Sequence, residues 1–212
     1  MKNFETPLAI TMGDPSGIGP EIILKSIIET RLNNFVIFGD SLVFDSLIKS
    51  LELPLTINKI SELSEAIFEE DYINLFETSK LNHLPHYGRI SKECGRVCFD
   101  AIIKSIELAK QGKVSGIVTA PISKKALNLA RINYPGHTEI LAGYSNNKAV
   151  SMMLLNKHIK TVLVTLHCSM KQALDRITIQ NELDAIINAD LGCKLFGIEN
   201  PVIAVAALNP HA

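Results

Sequence analysis

The sequence predicts an α/β protein whose mostly parallel sheets are covered by helices, and three observations predict it. Apolar strand-like runs alternate with amphipathic helical patterns along the whole chain. The strand-like runs, such as Phe35-Val36-Ile37-Phe38, are apolar throughout. Strands buried on both faces read this way, without the in–out alternation of a sheet with one wet side. Polar and special-backbone residues follow several of these runs, as loops do at the ligand-facing carboxyl edge of an open sheet.

The elements follow in order. Residues 8–12 form a first strand that ends in Gly13-Asp14-Pro15, and residues 18–29 carry helical apolar spacing with Pro20 in the first turn. Residues 34–40 read as a second buried strand. Residues 41–53 read as an amphipathic helix with Ser41 available as N-cap. Residues 55–57 and 72–76 are short strands, and residues 77–91, broken by Pro85 and Gly88, are a polar loop. The longest helical pattern spans 92–112, with Gly112 as its stop. A strand over 116–123 terminates at Pro121. A helix, a turn at Tyr134-Pro135-Gly136 and a second helix from near His137 come next. Residues 150–155 and 160–167 read as a hairpin around the polar 156–158 connection. Residues 177–198 are mostly helix, and 201–209 a last strand. No repeat, low-complexity tract or charge block interrupts the chain. The turn at 134–136 is the best point for a change of layer, which gives domains of 1–133 and 134–212.

Composition narrows the partners. Of 212 residues, 47% are hydrophobic, enough for a substantial core. Charged residues make up 20% and the net charge is -1, so no electrostatic feature calls for nucleic acid or an anionic membrane. The four cysteines, Cys94, Cys98, Cys168 and Cys193, lack the paired spacing of a zinc ribbon. Cys94 and Cys98, one helical turn apart, suit packing. The N-terminal stretch lacks the long apolar core of a signal peptide, and no run approaches the roughly 18 apolar residues of a membrane span. The expectation is a cytoplasmic protein with reduced thiols.

Candidate chemistry gathers after the strands. In Gly13-Asp14-Pro15-Ser16-Gly17-Ile18-Gly19 the glycines match neither a dinucleotide fingerprint nor a nucleotide-binding P-loop. The stretch reads either as a tight turn needing positive φ or as a helix start open to an anion. Lys124 follows the strand that ends at Pro121. His137 and Thr138, in Pro-Gly-His-Thr-Glu, sit at a helix start as caps or as contacts to an anionic substrate. His167 and His211 each end an apolar run, as hydrogen-bonded strand ends or as neutral ligands to a divalent ion. Cys168 is a packing residue or a ligand, while His83, His86 and His158 fall in polar loops.

Five stretches, in order, resemble the 4-hydroxythreonine-4-phosphate dehydrogenase family of pyridoxal phosphate biosynthesis. They are Gly-Asp-Pro-Ser-Gly-Ile-Gly-Pro-Glu from Gly13, Thr-Ala-Pro-Ile-Ser-Lys from Thr119, Pro-Gly-His-Thr-Glu from Pro135, Val-Thr-Leu-His from Val164 and Leu-Asn-Pro-His-Ala from Leu208. The resemblance implies the two-domain fold of isocitrate and isopropylmalate dehydrogenases, a homodimer, and a site in the interdomain cleft. It implies NAD- or NADP-dependent oxidation of the C3 alcohol of a small phosphorylated substrate, 4-phosphooxy-L-threonine. Decarboxylation to 3-amino-2-oxopropyl phosphate follows, and a paralogous four-carbon phosphorylated sugar acid is the alternative substrate. A divalent metal (Zn, Mg or Co) is implied, with His167 and His211 as two of three histidine ligands and as catalytic positions. His137 and Thr138 match substrate contacts, and Lys124 suits a substrate anion; no residue is assigned to the nicotinamide cofactor. Family members continue for roughly a domain's length beyond this point. The expectation is therefore that residues 206–212 are an interior active-site strand, that the chain lacks the last elements of its first domain, and that it lacks part of the site.

Overall fold

A computed structural model of the chain describes residues 6–146 and 149–210. Its contacts divide the chain into two compact units, Met1–Asn146 and Asn147–Ala212. In the first, β1 (Leu8–Thr11), β2 (Phe35–Gly39), β3 (Thr56–Ile60), β4 (Tyr72–Glu77) and β5 (Gly116–Thr119) form one parallel sheet. The strand order is β3-β4-β2-β1-β5.

The apolar strands fill two cores at once. Ile10 and Met12 of the first strand segment, with Phe35 and Ile37 of β2, face α1 (Gly19–Thr30) and α2 (Ser41–Ser50). Their alternate neighbours Ala9, Val36 and Phe38 face α3 (Lys92–Lys110). This double burial is why the strands read as unbroken apolar runs. A third cluster joins the far side of α3 to α4 (Lys124–Leu129) and α5 (His137–Ser145) through Cys98, Ile102, Leu127 and Ile140. Cys94 and Cys98 are buried free thiols in these layers. Burial, with Asp14 nearby, pushes the Cys98 thiol far above its ordinary range, so it packs as a neutral group.

Local chemistry sets the element ends. Asp40, not the expected Ser41, caps α2: its Oδ1 accepts from the Leu42 amide at 3.0 Å. Ser91 caps α3 by accepting from the Cys94 amide at 3.0 Å. Gly112, at φ +68°, stops the chain from continuing that helix, as expected. The turn at Tyr134-Pro135-Gly136 leads into α5 as expected, but α5 packs within the first unit. Ile140 is fully buried against α3, and the Tyr144 ring meets Phe99 edge-on at 5.7 Å. Contacts therefore divide the chain after Asn146 and not at residues 134–136.

The second unit holds the expected antiparallel hairpin, β6 (Met152–Leu155) with β7 (Lys160–Leu163), followed by α6 (Met170–Arg176) and α7 (Ile179–Leu195). The Asn156 side chain closes the hairpin by accepting from the His158 and Ile159 amides, both at 2.8 Å. The separate helix α6 was not anticipated, although Ser169 and Gln172 form a capping box at its start. The expected strand over 201–209 does not form: these residues pair with no neighbour among the described residues, and Val202 is fully exposed. An apolar run becomes a strand only where a partner supplies its ladder. No helix among the described residues is long and apolar enough to cross a membrane.

Candidate active site

All five strands of the first unit are parallel, so their carboxyl ends share one edge. Strand order reverses at β1, between β2 on one side and β5 on the other. Such a switch point opens a crevice beyond the carboxyl ends. Gly13-Asp14-Pro15-Ser16-Gly17 leaves β1 there, and Ala120-Pro121 leaves β5 beside it. The Ala120 amide donates to the Thr11 carbonyl at 3.2 Å, and the Asp14 amide to the Pro121 carbonyl at 2.9 Å. Gly13 sits at φ +72°, and a Cβ on it would lie 2.4 Å from the Pro121 carbonyl oxygen. Both its backbone angle and this contact require glycine.

The loop is held from within. Asp14 Oδ1 accepts from the Ser16 amide at 2.9 Å and from the Ser16 hydroxyl at 2.8 Å. The Ser16 carbonyl in turn accepts from the Gly88 amide at 2.8 Å, which ties the 78–91 loop to it. At the other end of that loop, the buried Asp40 carboxylate accepts from the Leu81 amide at 2.7 Å. Burial raises the Asp40 pKa, and nearby Glu77 adds to the rise, against the hydrogen bonds that lower it.

His137 opens α5 on the same side of the molecule. Gly136 is the N-cap and gives no side-chain bond, so neither His137 nor Thr138 serves as the cap. The His137 ring is half-buried, and its Nε2 has no hydrogen-bond partner among the described residues. Burial lowers the ring's pKa, while a backbone hydrogen bond with Ala120 acts in the opposite direction. A neutral ring with one buried, unpartnered nitrogen suits a polar group of a ligand. Lys124 runs beside the start of α5: its Cε lies 4.0 Å from a Cβ placed on Gly136. The fold thus brings together three of the residues singled out in the sequence, His137, Thr138 and Lys124. Asp14 and Ala120, each inside a stretch that the sequence marked, lie in the adjoining loops, where the Asp14 amide donates to the Pro121 carbonyl.

His167 lies in the second unit. β7 stops at Leu163, so His167 is not a strand end; it is exposed, with φ +45°. Left-handed backbone is uncommon outside glycine and costs free energy that local structure must supply. His211 lies outside the described residues. Two neutral imidazoles suit a divalent ion but make a partial donor set. Among the described residues no group of three His, Cys, Asp or Glu side chains could hold a metal. Cys168 is half-buried and free, and His158 is exposed in the hairpin turn. His83 lies 3.9 Å from Glu93 at the surface, and His86 is exposed in the same loop.

Comparison with known proteins adds an independent line. The family model for pyridoxal phosphate biosynthetic protein PdxA matches residues 31–212. A curated 4-hydroxythreonine-4-phosphate dehydrogenase from Beijerinckia indica is 46% identical over 100% of this chain and 63% of its own length. A protein of Fusobacterium nucleatum, provisionally named D-threonate 4-phosphate dehydrogenase, is 34% identical over 99% of this chain and 64% of its own. The crystal structure of 4-hydroxythreonine-4-phosphate dehydrogenase from Klebsiella pneumoniae superposes with a TM-score of 0.88 at 34% identity. It covers 98% of this chain and 65% of that one. The chain therefore spans less than two thirds of the length of these relatives.

Proposed function

The chain belongs to the pyridoxal phosphate biosynthetic protein PdxA family, and on that premise we propose that the whole protein oxidises 4-phosphooxy-L-threonine at C3. The hydride passes to NAD or NADP and the hydroxyl proton is released. The resulting β-keto acid loses carbon dioxide to give 3-amino-2-oxopropyl phosphate. The observation that carries this reading is the 46% identity, over the full chain, to a 4-hydroxythreonine-4-phosphate dehydrogenase.

Within this reading the chain's own residues bind and orient. Lys124 supplies positive charge at the crevice for a substrate anion. His137 offers its unpartnered Nε2 to a substrate hydroxyl or amine, and its burial keeps the ring neutral near pH 7. The Thr138 hydroxyl stands next to it at the helix start, where unpaired amides favour negative charge. His167 and His211 would hold a divalent ion; when bound, it lowers the pKa of a substrate hydroxyl and polarises the ketone product. The protein works as a homodimer in the cytoplasm, as the resemblance implies.

A second substrate is favoured by a specific observation: the 34% identical relative carries the D-threonate 4-phosphate name. Steady-state assays of the whole protein, with NAD and NADP and each phosphorylated acid in turn, separate the two. Carbon dioxide release with 4-phosphooxy-L-threonine at the higher kcat/KM is the expected outcome. Preference for D-threonate 4-phosphate reverses the assignment, and no turnover of either removes it.

A further inference from the structure

The segment between β4 and α3, residues 78–91, runs along the carboxyl edge of the first sheet, and hydrogen bonds trace its path. It leaves β4 with the Thr78 amide donating to the Gly39 carbonyl of β2 at 3.0 Å. It passes the start of α2, where the Leu81 amide donates to Asp40 Oδ2 at 2.7 Å and the Ser79 hydroxyl reaches the same oxygen at 3.4 Å. It then meets the exit of β1, where the Gly88 amide donates to the Ser16 carbonyl at 2.8 Å. The segment is thus a strap from β4 past β2 to β1, on the edge where an open α/β sheet binds ligands.

Its two ends are fastened differently. The Gly88 bond joins two main-chain groups, which do not titrate. The Leu81 bond ends on a carboxylate that is only 1% exposed. Leu81 itself is buried in the core beside α2, while residues 82–84 and 86–90 are exposed. Asp40 divides its oxygens between two segments: Oδ1 accepts from the Leu42 amide at 3.0 Å as the cap of α2, and Oδ2 holds the strap. An ionised carboxylate can serve both. A protonated one carries an O–H in place of one acceptor, so it cannot accept from both amides. Val43 and Phe44, fully buried, fix the start of α2 in the core, so the strap is the side that yields.

We infer that Asp40 is a proton-operated latch: ionised, it holds residues 79–81 of the strap against the start of α2, and protonated, it releases them and opens the β2 side of the carboxyl edge. The inference rests on reading that edge as the substrate crevice, but its test needs no turnover. Burial of the carboxylate, with Glu77 adding to it, moves its protonation above the ordinary value, against the bonds from Leu81, Leu42 and Ser79. Glu77 is the charged group that faces it from β4, where its Oε1 accepts from the Ser41 hydroxyl. The first turn of α2 carries no charge, and Lys80 of the strap is exposed.

The test is a pH series of 1H–15N spectra and amide exchange on the 212-residue chain, with the Asp40 carboxyl followed by 13C shift. The Leu81 amide is expected to titrate with that carboxyl and to lose protection by about tenfold or more as it protonates, while the amides of β2 stay protected. Asp40→Asn keeps one acceptor for the helix cap and places an NH2 where the other oxygen stood. It is expected to leave Leu81 poorly protected at every pH. Glu77→Gln removes the facing charge but keeps an oxygen for Ser41. It is expected to move release to lower pH with the strap still held near neutrality, and it carries the test if Asp40→Asn fails to fold. Leu81 protection that stays constant through the Asp40 titration overturns the inference. So does pH dependence that survives in Asp40→Asn, because His83 and His86 remain in that strap. Joint loss of β2 and Leu81 protection also overturns it, since the opening is then global unfolding. None of these outcomes bears on the enzymatic reading, which the substrate assays decide separately.

Discussion

His137 couples the chain's stability to pH in a defined direction. Its folded-state pKa is lowered by burial, from an ordinary value of about 6.5. Between those two values the unfolded chain binds more protons than the folded one, so stability rises with pH across that window. The contribution is fully present above about pH 6.5 and is lost as pH falls through the lowered folded-state value. Urea unfolding at a series of pH values should therefore show a slope that His137→Gln flattens; an unchanged slope means the ring does not feel its burial. Thr11 offers the opposite case. Its Oγ1 is buried without a partner among the described residues, so its hydroxyl is desolvated with no compensating bond there. Thr11→Val keeps the shape and removes that cost, and it should stabilise the chain by about 1 kcal/mol in the same assay. The Pro-Gly-His-Thr-Glu pattern marked His137 as a site residue from sequence. Its buried nitrogen was not legible there, because burial is set by distant parts of the chain that surround the ring only after folding.

Elements were legible where the sequence carried both a period and an end signal. α3 has a helical apolar pattern, a serine cap and a terminal glycine, and it forms over Lys92–Lys110, within the 92–112 pattern read from the sequence. The 201–209 run had the strand pattern but no neighbour, and α6 had the cap but only seven residues of pattern. Helix contact rests on small residues as much as on apolar ones. A Cβ on Gly95 of α3 would lie 2.1 Å from the Ala126 carbonyl oxygen in α4. Gly95→Ala must push the two helices apart, and overpacking of this kind costs roughly 1–3 kcal/mol. The loss should appear as a lower urea midpoint with an unchanged m-value; an unchanged midpoint means that α4 shifts freely. Because α4 carries Lys124, the same variant should also weaken binding of a phosphorylated substrate by the whole protein.

On the scale of the molecule, apolar burial is unequal. The first unit holds three clusters of buried side chains, with Phe35, Phe38, Phe44 and Ile37 at 0–1% exposure. In the second unit, Ile179, Leu191 and Leu195 of α7 are 89%, 54% and 82% exposed. Local opening is easiest where few apolar contacts must break. Amide exchange of the chain should therefore be slowest in β1, β2 and α3 and fastest in α6 and α7; equal protection in both units would contradict this picture. Composition and periodicity alone established the α/β class, the strand–helix alternation, the hairpin and the order of the motifs. These are encoded in neighbouring residues, where the side-chain period of a strand or helix is already visible. Tertiary structure decided the strand order, the division after Asn146 and the close approach of Gly13 to Ala120 and Pro121. It also left residues 201–209 without a ladder. Each of these depends on which distant backbone lies within hydrogen-bonding reach, a property of the folded chain that no local pattern contains.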